Sequence, residues 1–196
     1  MKDKIEDQNR RMDRIIEWVK TCDTKTSIMM SVLLLVPTFT IGTDWVLSKL
    51  EDIISIIVEA IKNDGIGYCF SVINFIVLIL LLVTIIFTII SFCYFISVLK
   101  AKTKENTYGD DVKTNSLIYF NNISSVSLET YKQLSHNEQE SDYYEDLLSQ
   151  TYINAKRCAE KFDYYSKGLR WLGAALISLI MFILMLFFVQ ISVLSH

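Results

Sequence analysis

From Gly67 to Leu99 the chain reads GYCFSVINFIVLILLLVTIIFTIISFCYFISVL, without one charged residue. As a helix rising about 1.5 Å per residue, it reaches roughly 50 Å, more than a hydrocarbon core of about 30 Å requires. A helix apolar on every side has no use in a soluble domain of this size. In lipid, by contrast, it satisfies all of its own backbone hydrogen bonds. The segment therefore predicts a membrane span, and the rest of the chain is read around it.

Two further apolar stretches flank it. The first runs from Ser27 to about Leu47, SIMMSVLLLVPTFTIGTDWVL, and the last from Trp171 to Leu194. Pro37 removes a backbone donor from the first, a defect that neighbouring helices or Thr hydroxyls can absorb in a membrane. Asp44 and Trp45 suit its outer interface. With 52% hydrophobic residues and a single proline in 196 residues, the composition fits a small helical membrane protein. The net charge of −3 is too small to point to any partner.

Between the spans the pattern changes. Residues 3–21 carry Ile5, Met12, Ile15, Ile16 and Val19 at helical spacing, with charges on the other faces. This predicts an amphipathic helix, docked on the cytoplasmic part or lying on the membrane surface, and not a leader peptide. Residues 48–62 form a second amphipathic segment, with Leu50, Ile53, Ile54, Ile57 and Ile61 on one side and a stop at Asn63-Asp64-Gly65. Residues 103–116 are polar and turn-rich. Residues 117–134 predict one or two short helices, one of them capped by Ser127, with Thr130 where a capping box places Glu or Gln. From Asp142 to Leu194 nothing breaks a helix. Its first half repeats Tyr144, Leu148, Thr151, Ala155, Cys158, Phe162, Tyr165 and Leu169 in steps of four and three, a heptad seam suited to a partner helix.

The expected fold is thus an all-α membrane protein with three transmembrane helices, two amphipathic helices and a long cytoplasmic helix continuous with the last span. Its regions are a cytoplasmic helix (1–25), a transmembrane hairpin (26–99) with an external amphipathic helix (48–62), a cytoplasmic helical region (100–168) and the third span (169–196). Lys20 and Lys25 precede the first span, Lys100, Lys102 and Lys104 follow the second, and Lys161, Lys167 and Arg170 precede the third. The positive-inside rule puts all three groups in the cytoplasm, with residues 48–64 and the C-terminus outside.

Catalysis has little support. His136 and His196 are the only histidines, so neither a His-based triad nor a His metal cluster can be built. No Gly-rich phosphate loop or nucleophile elbow is present. Cys22, Cys69, Cys93 and Cys158 are scattered, without disulfide or zinc spacing. The carboxylates of EQESDYYED read as a solvated helix start. The expectation is a protein that is no enzyme, with no cofactor and no metal.

The spans are more informative. Ser27, Ser31 and Thr38 fall near one face of the first, and Asn74, Thr84, Thr88 and Ser91 share roughly a third of the second. Such rows line a pore when several subunits meet. Alternatively, they bond their own preceding turn or hold helices together. Ala174 and Ser178 form a small-xxx-small pair for a further helix contact. On the cytoplasmic side, Lys156, Arg157 and Lys161 lie near Phe162, Tyr164 and Tyr165. That combination can hold a nucleotide's phosphate and base, or simply form a basic collar near the headgroups.

The approach to the first span, Trp18-Val19-Lys20-Thr21-Cys22-Asp23-Thr24-Lys25-Thr26-Ser27, resembles the ADxKAS approach of the transmembrane effector family of bacterial Pycsar and related nucleotide-signalling defence systems. Ile118-Tyr119-Phe120, a helix around Tyr131, and Asp146-Leu147-Leu148-Ser149-Gln150 with Ala155 and Lys161 are similar as well. The likeness covers about residues 14–190. The chain is also similar to the membrane effector of the Hailong system, which is paired with a nucleotidyltransferase making short DNA oligomers. The resemblance implies an oligomeric inner-membrane channel, a tetramer by analogy. Its ligand would be a nucleotide or short single-stranded oligonucleotide from a partner nucleotidyltransferase or cyclase, and its opening would depolarise an infected cell and arrest or kill it. It gives Asp23 and Lys25 a gating role at the cytoplasmic mouth, where either can pair with the long helix or a neighbouring subunit. The rival expectation is a non-conducting membrane receptor or scaffold that recruits a cytoplasmic partner.

Overall fold

The computed structural model describes residues 1–62, 68–100 and 116–194, and among these every regular element is a helix. They are α1 (Lys2–Ile41), α2 (Asp44–Lys62), α3 (Tyr68–Leu99), α4 (Phe120–Ser125), α5 (Leu128–Asn137) and α6 (Glu140–Leu194). The expected stop at Asn63-Asp64-Gly65 and nearly all of the expected loop at 103–116 lie outside the described residues.

Helix boundaries depart from expectation at two places. The cytoplasmic amphipathic helix and the first apolar stretch are one helix, α1, because nothing between Thr21 and Ser27 breaks it. That helix ends at Ile41, short of Leu47. Gly42 donates its N–H to Thr38 O at 2.9 Å, and a Cβ there would stand 2.5 Å from the same oxygen. Glycine alone fits so tight a close. Asp44 opens α2, where a carboxylate suits the N-terminal dipole, so Asp44 to Leu47 belong to the second helix. Around Pro37, Thr38 donates to Leu34 O and Thr40 Oγ1 lies 3.0 Å from both Val36 O and Pro37 O. The Thr38 hydroxyl thus covers the carbonyl next to the one at Leu33 that the proline leaves without its helical donor.

The chain folds as two units, Met1–Lys25 with Val98–Asp163, and Thr26–Ser97 with Tyr164–His196. In the second unit, Val36, Val46, Ile53, Val77, Phe182 and Leu186 from α1, α2, α3 and α6 form one buried cluster, and Leu33, Phe95 and Leu172 another. The amphipathic α2 therefore buries its face within the chain, with Leu50 and Ile57 against the cluster. Ile54, expected on that face, is half exposed. Trp45 packs on Phe187 with ring centroids 4.9 Å apart.

Among the described residues, two helices are long and apolar enough to cross a membrane, Val72–Leu99 and Glu140–Val189, the latter apolar from about Trp171 onward. Only 17% of the most apolar window of α3 is buried within the chain. Phe75, Leu82 and Ile89 are each more than half exposed. An uncharged helix that shows its side chains outward needs an apolar surrounding, which places this chain at a membrane.

In the first unit, the apolar stripe of α1 (Ile5, Met12, Ile15, Ile16, Val19) is half buried and Cys22 fully so. It packs on its own unit, as a docked helix does. Glu6–Arg10 and Asp7–Arg11 ion pairs run along the outer face, each with the acidic residue N-terminal, the favourable order. On α6 the buried row is Asp146, Leu147, Gln150, Thr151, Ile153 and Cys158. Only part of the heptad seam turns inward: Leu148, Ala155, Phe162 and Leu169, each seven residues from the next, are exposed.

Candidate functional site

The two rows of polar residues in the apolar helices are built differently. On α3, Asn74, Thr84 and Ser91 are buried. Thr84 Oγ1 lies 2.8 Å from both Leu80 O and Ser178 Oγ, and Ser91 Oγ donates to Gly168 O at 2.9 Å. This row faces α6. Thr88, half buried, bonds the Thr84 carbonyl at 2.8 Å. The approach at Gly168 is close, since a Cβ there would meet the Phe95 ring at 2.6 Å. Ser178, one half of the small-xxx-small pair, is thereby engaged inside the chain. Asn74 differs from its neighbours, because neither its Oδ1 nor its Nδ2 finds a protein partner although the residue is fully buried. A buried orphan amide of this kind is costly.

On α1, Ser27, Ser31 and Thr38 are exposed. Ser31 donates to Ser27 O at 3.2 Å and Thr38 to Leu34 O at 3.0 Å. These hydroxyls satisfy their donors within their own turn and still present oxygen outward.

The expected gating pair separates. Asp23 Oδ1 accepts from Lys161 Nζ at 2.5 Å, joining α1 to α6 within the first unit, while Lys25 is exposed. Asp23 therefore pairs with the long helix, and Lys161, expected at a ligand, is held by it. Nearby, burial pushes the Cys158 thiol above its ordinary range, an effect the Lys161 charge partly offsets.

The other cationic and aromatic candidates do not converge on one place. Lys156 lies over the Tyr152 ring at 5.4 Å and Arg157 over the Tyr119 ring at 5.5 Å. Tyr164 stacks on Tyr94 and Tyr165 on Phe95, at 6.4 and 6.2 Å, within the second unit.

Two features escaped sequence reasoning. The first is Asp146, expected in a solvated helix start and in fact fully buried. Its Oδ2 accepts from Leu117 N at 2.9 Å, while its Oδ1 has no partner. This joins the stretches around Ile118-Tyr119-Phe120 and Asp146–Gln150, which lie far apart in sequence. Ser116 Oγ tightens the same turn, accepting from Ile118 N and Tyr119 N at 3.1 Å each. The second is a cleft of about 510 Å³ between this turn, α4, α5 and the start of α6, walled by Asn122, Val126, Leu134, Asn137, Glu138 and Asp142 among others. The only signal that could have found it was the density of Asn, Ser and acidic residues in 116–142, which reads equally as loop. Ser127 caps α5 by accepting from Thr130 N at 3.2 Å, and the Thr130 hydroxyl lies 2.8 Å from Ser127 Oγ in place of the usual Glu or Gln. Among the described residues, no cluster of His, Cys, Asp and Glu could hold a metal ion.

The Pycsar effector protein domain family matches residues 7–189. The Pycsar effector protein GmPycTM of Gulbenkiania mobilis is 30% identical over 175 residues, covering 88% of this chain and 87% of that protein. No solved structure matches. With nearly its whole described length matched, and with the Asp23 approach, the Tyr119 turn and the Asp146 segment all inside the match, the chain belongs to the Pycsar effector protein family.

Proposed function

We propose that this protein is the membrane effector of a nucleotide-signalling antiphage defence system. A nucleotide made by a partner cyclase or nucleotidyltransferase binds its cytoplasmic part and opens an ion-conducting pore between several copies, and the loss of membrane potential stops the infected cell. Membership of the Pycsar effector family carries this reading. Three spans across the inner membrane, the first beginning near Ser27 and the others in α3 and the last part of α6, keep the N-terminus and residues 100–168 in the cytoplasm and leave the C-terminus outside.

Three spans in one chain enclose no pathway, so conduction needs oligomers. The exposed repeat of Leu148, Ala155 and Phe162 supports such an assembly, because a seven-residue apolar repeat is the contact a helix makes with its own copy. The exposed Ser27, Ser31 and Thr38 are the better candidates for water contact, since Asn74, Thr84 and Ser91 are engaged or enclosed by packing. The Asp23–Lys161 pair ties α1 to α6 in the last turns before both helices become apolar. Movement of one helix is thus transmitted to the other.

The test is membrane potential, read with a voltage-sensitive dye in cells producing the protein together with a nucleotide cyclase. Depolarisation is expected only when both are present. Asp23→Ala or Lys161→Ala should shift the dose needed, and the exchange Asp23→Lys with Lys161→Asp should restore it. An unchanged potential in cells that contain inserted protein and the nucleotide would instead favour a non-conducting receptor.

A further inference from the structure

The first half of α6 carries two rows of side chains at one spacing. Leu147, Thr151, Asn154, Cys158 and Lys161 follow one another in steps of four and three. Leu147, Thr151 and Cys158 are buried, Asn154 is half buried, and Lys161 holds Asp23 of α1. This row meets the chain's own first unit. Leu148, Tyr152, Ala155, Ala159 and Phe162 each stand one residue later, which turns them about 100° round the helix. All five are exposed. The heptad seam read from the sequence alternates between the two rows, taking Leu148, Ala155 and Phe162 from the outer one and Thr151 and Cys158 from the inner.

The outer row needs a cover, and lipid is out of its reach. Phe162 and Leu148 precede Trp171, where α6 turns apolar, by about 14 and 35 Å along the helix. The headgroup layer adds only about 5–8 Å to the hydrocarbon core. Residues 101–115 of this chain hold Ala101, Tyr108 and Val112 as their only apolar side chains, too few to cover five positions. The seven-residue period asks for a helix as partner. A second copy supplies one that matches without adjustment. Its α6 enters the same membrane in the same direction, so the two helices run parallel with their rows at equal distances from the bilayer. In register, the small Ala155 and Ala159 meet their counterparts at the centre, where the helices can come close, and Leu148, Tyr152 and Phe162 meet theirs on either side.

We infer that copies of this chain are already paired in the resting state, before any nucleotide arrives, through parallel α6 helices in register along Leu148, Tyr152, Ala155, Ala159 and Phe162. This rests on the reading above of α6 as a helix that enters the membrane in an oligomeric effector. The row stands exposed in the chain without ligand, and a contiguous apolar strip in water marks an interaction surface. The contact is short, but two chains held in one membrane meet at a high effective concentration. Pairing and the Asp23–Lys161 link then use different faces of one helix, so the link can break while the pair persists.

The test is disulfide cross-linking of the full-length protein in membranes from cells without a cyclase, using copper phenanthroline and the Cys93→Ser parent, in which Cys22 and Cys158 are buried. Ala155→Cys and Ala159→Cys should each convert most of the protein to a dimer. The parent and Glu160→Cys, one residue off the row, should give almost none. Adding Ala159→Glu to Ala155→Cys should lower the dimer by about tenfold or more, because two carboxylates then face each other. Producing that variant together with one carrying Ala159→Lys and Ala155→Cys should restore it, as parallel register requires. Equal yields at 155, 159 and 160, or links that form only when a cyclase is present, would overturn resting pairing. No link at 155 or 159 in cells that still depolarise with a cyclase overturns this contact and leaves conduction standing. Links at both positions in cells that never depolarise keep the contact and remove the conduction reading.

Discussion

The polar residues of α1 and α3 show how one residue class serves two ends. Both rows lie in apolar helices, and both read alike in sequence as serines and threonines at helical spacing. On α3 the row is buried against α6 and carries contacts between helices: Thr84 to Ser178, and Ser91 to the Gly168 backbone. On α1 the row is exposed and its hydroxyls turn back onto Ser27 and Leu34. What decides between the two is the neighbour. Gly168 lets α6 approach α3 closely enough for a hydroxyl to reach a backbone carbonyl, whereas among the described residues Ser31 bonds only within its own helix.

The contrast breaks most severely at Gly168. Gly168→Leu puts side-chain atoms where the Phe95 ring stands, and overpacking of this kind is expected to cost about 3 kcal/mol. A thermal melt in micelles should fall accordingly, and an unchanged melt would mean that α3 and α6 do not meet there. Asn74→Leu should act in the opposite direction. It removes a buried amide with two unmet polar atoms and is expected to stabilise by about 1–2 kcal/mol. A loss of stability instead would show that a water or a second copy satisfies the amide.

Smaller effects sharpen the comparison. Thr84→Val should cost about 0.6 kcal/mol, the usual scale for a hydrogen bond between membrane helices. A double-mutant cycle with Ser178→Ala should return that coupling, and a zero coupling would remove the contact. Ser31→Ala and Thr38→Val should move stability by less than about 0.5 kcal/mol. If they are as damaging as Thr84→Val, the α1 row packs as well and the difference between the rows disappears.

Much of this fold was legible because lipid imposes simple rules. The charge-free run of α3 and the unbroken length of α6 follow from composition alone. The break at Gly42 was harder, because the apolar residues continue past it into α2 and only the contact with Thr38 O shows why the helix stops. Asp23 drew notice only through the resemblance to the effector family, which left the long helix and a neighbouring subunit open as its partner; within the chain it is Lys161 on the long helix. The site was less legible. Asp146 sits in a run of acidic residues that looks solvated, and its burial depends on a backbone N–H at Leu117, distant in sequence. The cationic cluster around Lys156 looked like one site because three basic residues are close in sequence. A helix sends them different ways, to Tyr152, Tyr119 and Asp23.

The central claim is that the protein conducts along the exposed row of α1 and packs along the buried row of α3. Planar-bilayer recording of the reconstituted protein with its activating nucleotide tests this directly, using Ser31→Cys, Thr38→Cys or Thr84→Cys in a Cys93→Ser background and a charged thiol reagent. The account predicts nucleotide-dependent current that the reagent blocks at positions 31 and 38 but not at 84. Block at 84 alone, or no current from inserted and oligomeric protein, would contradict it.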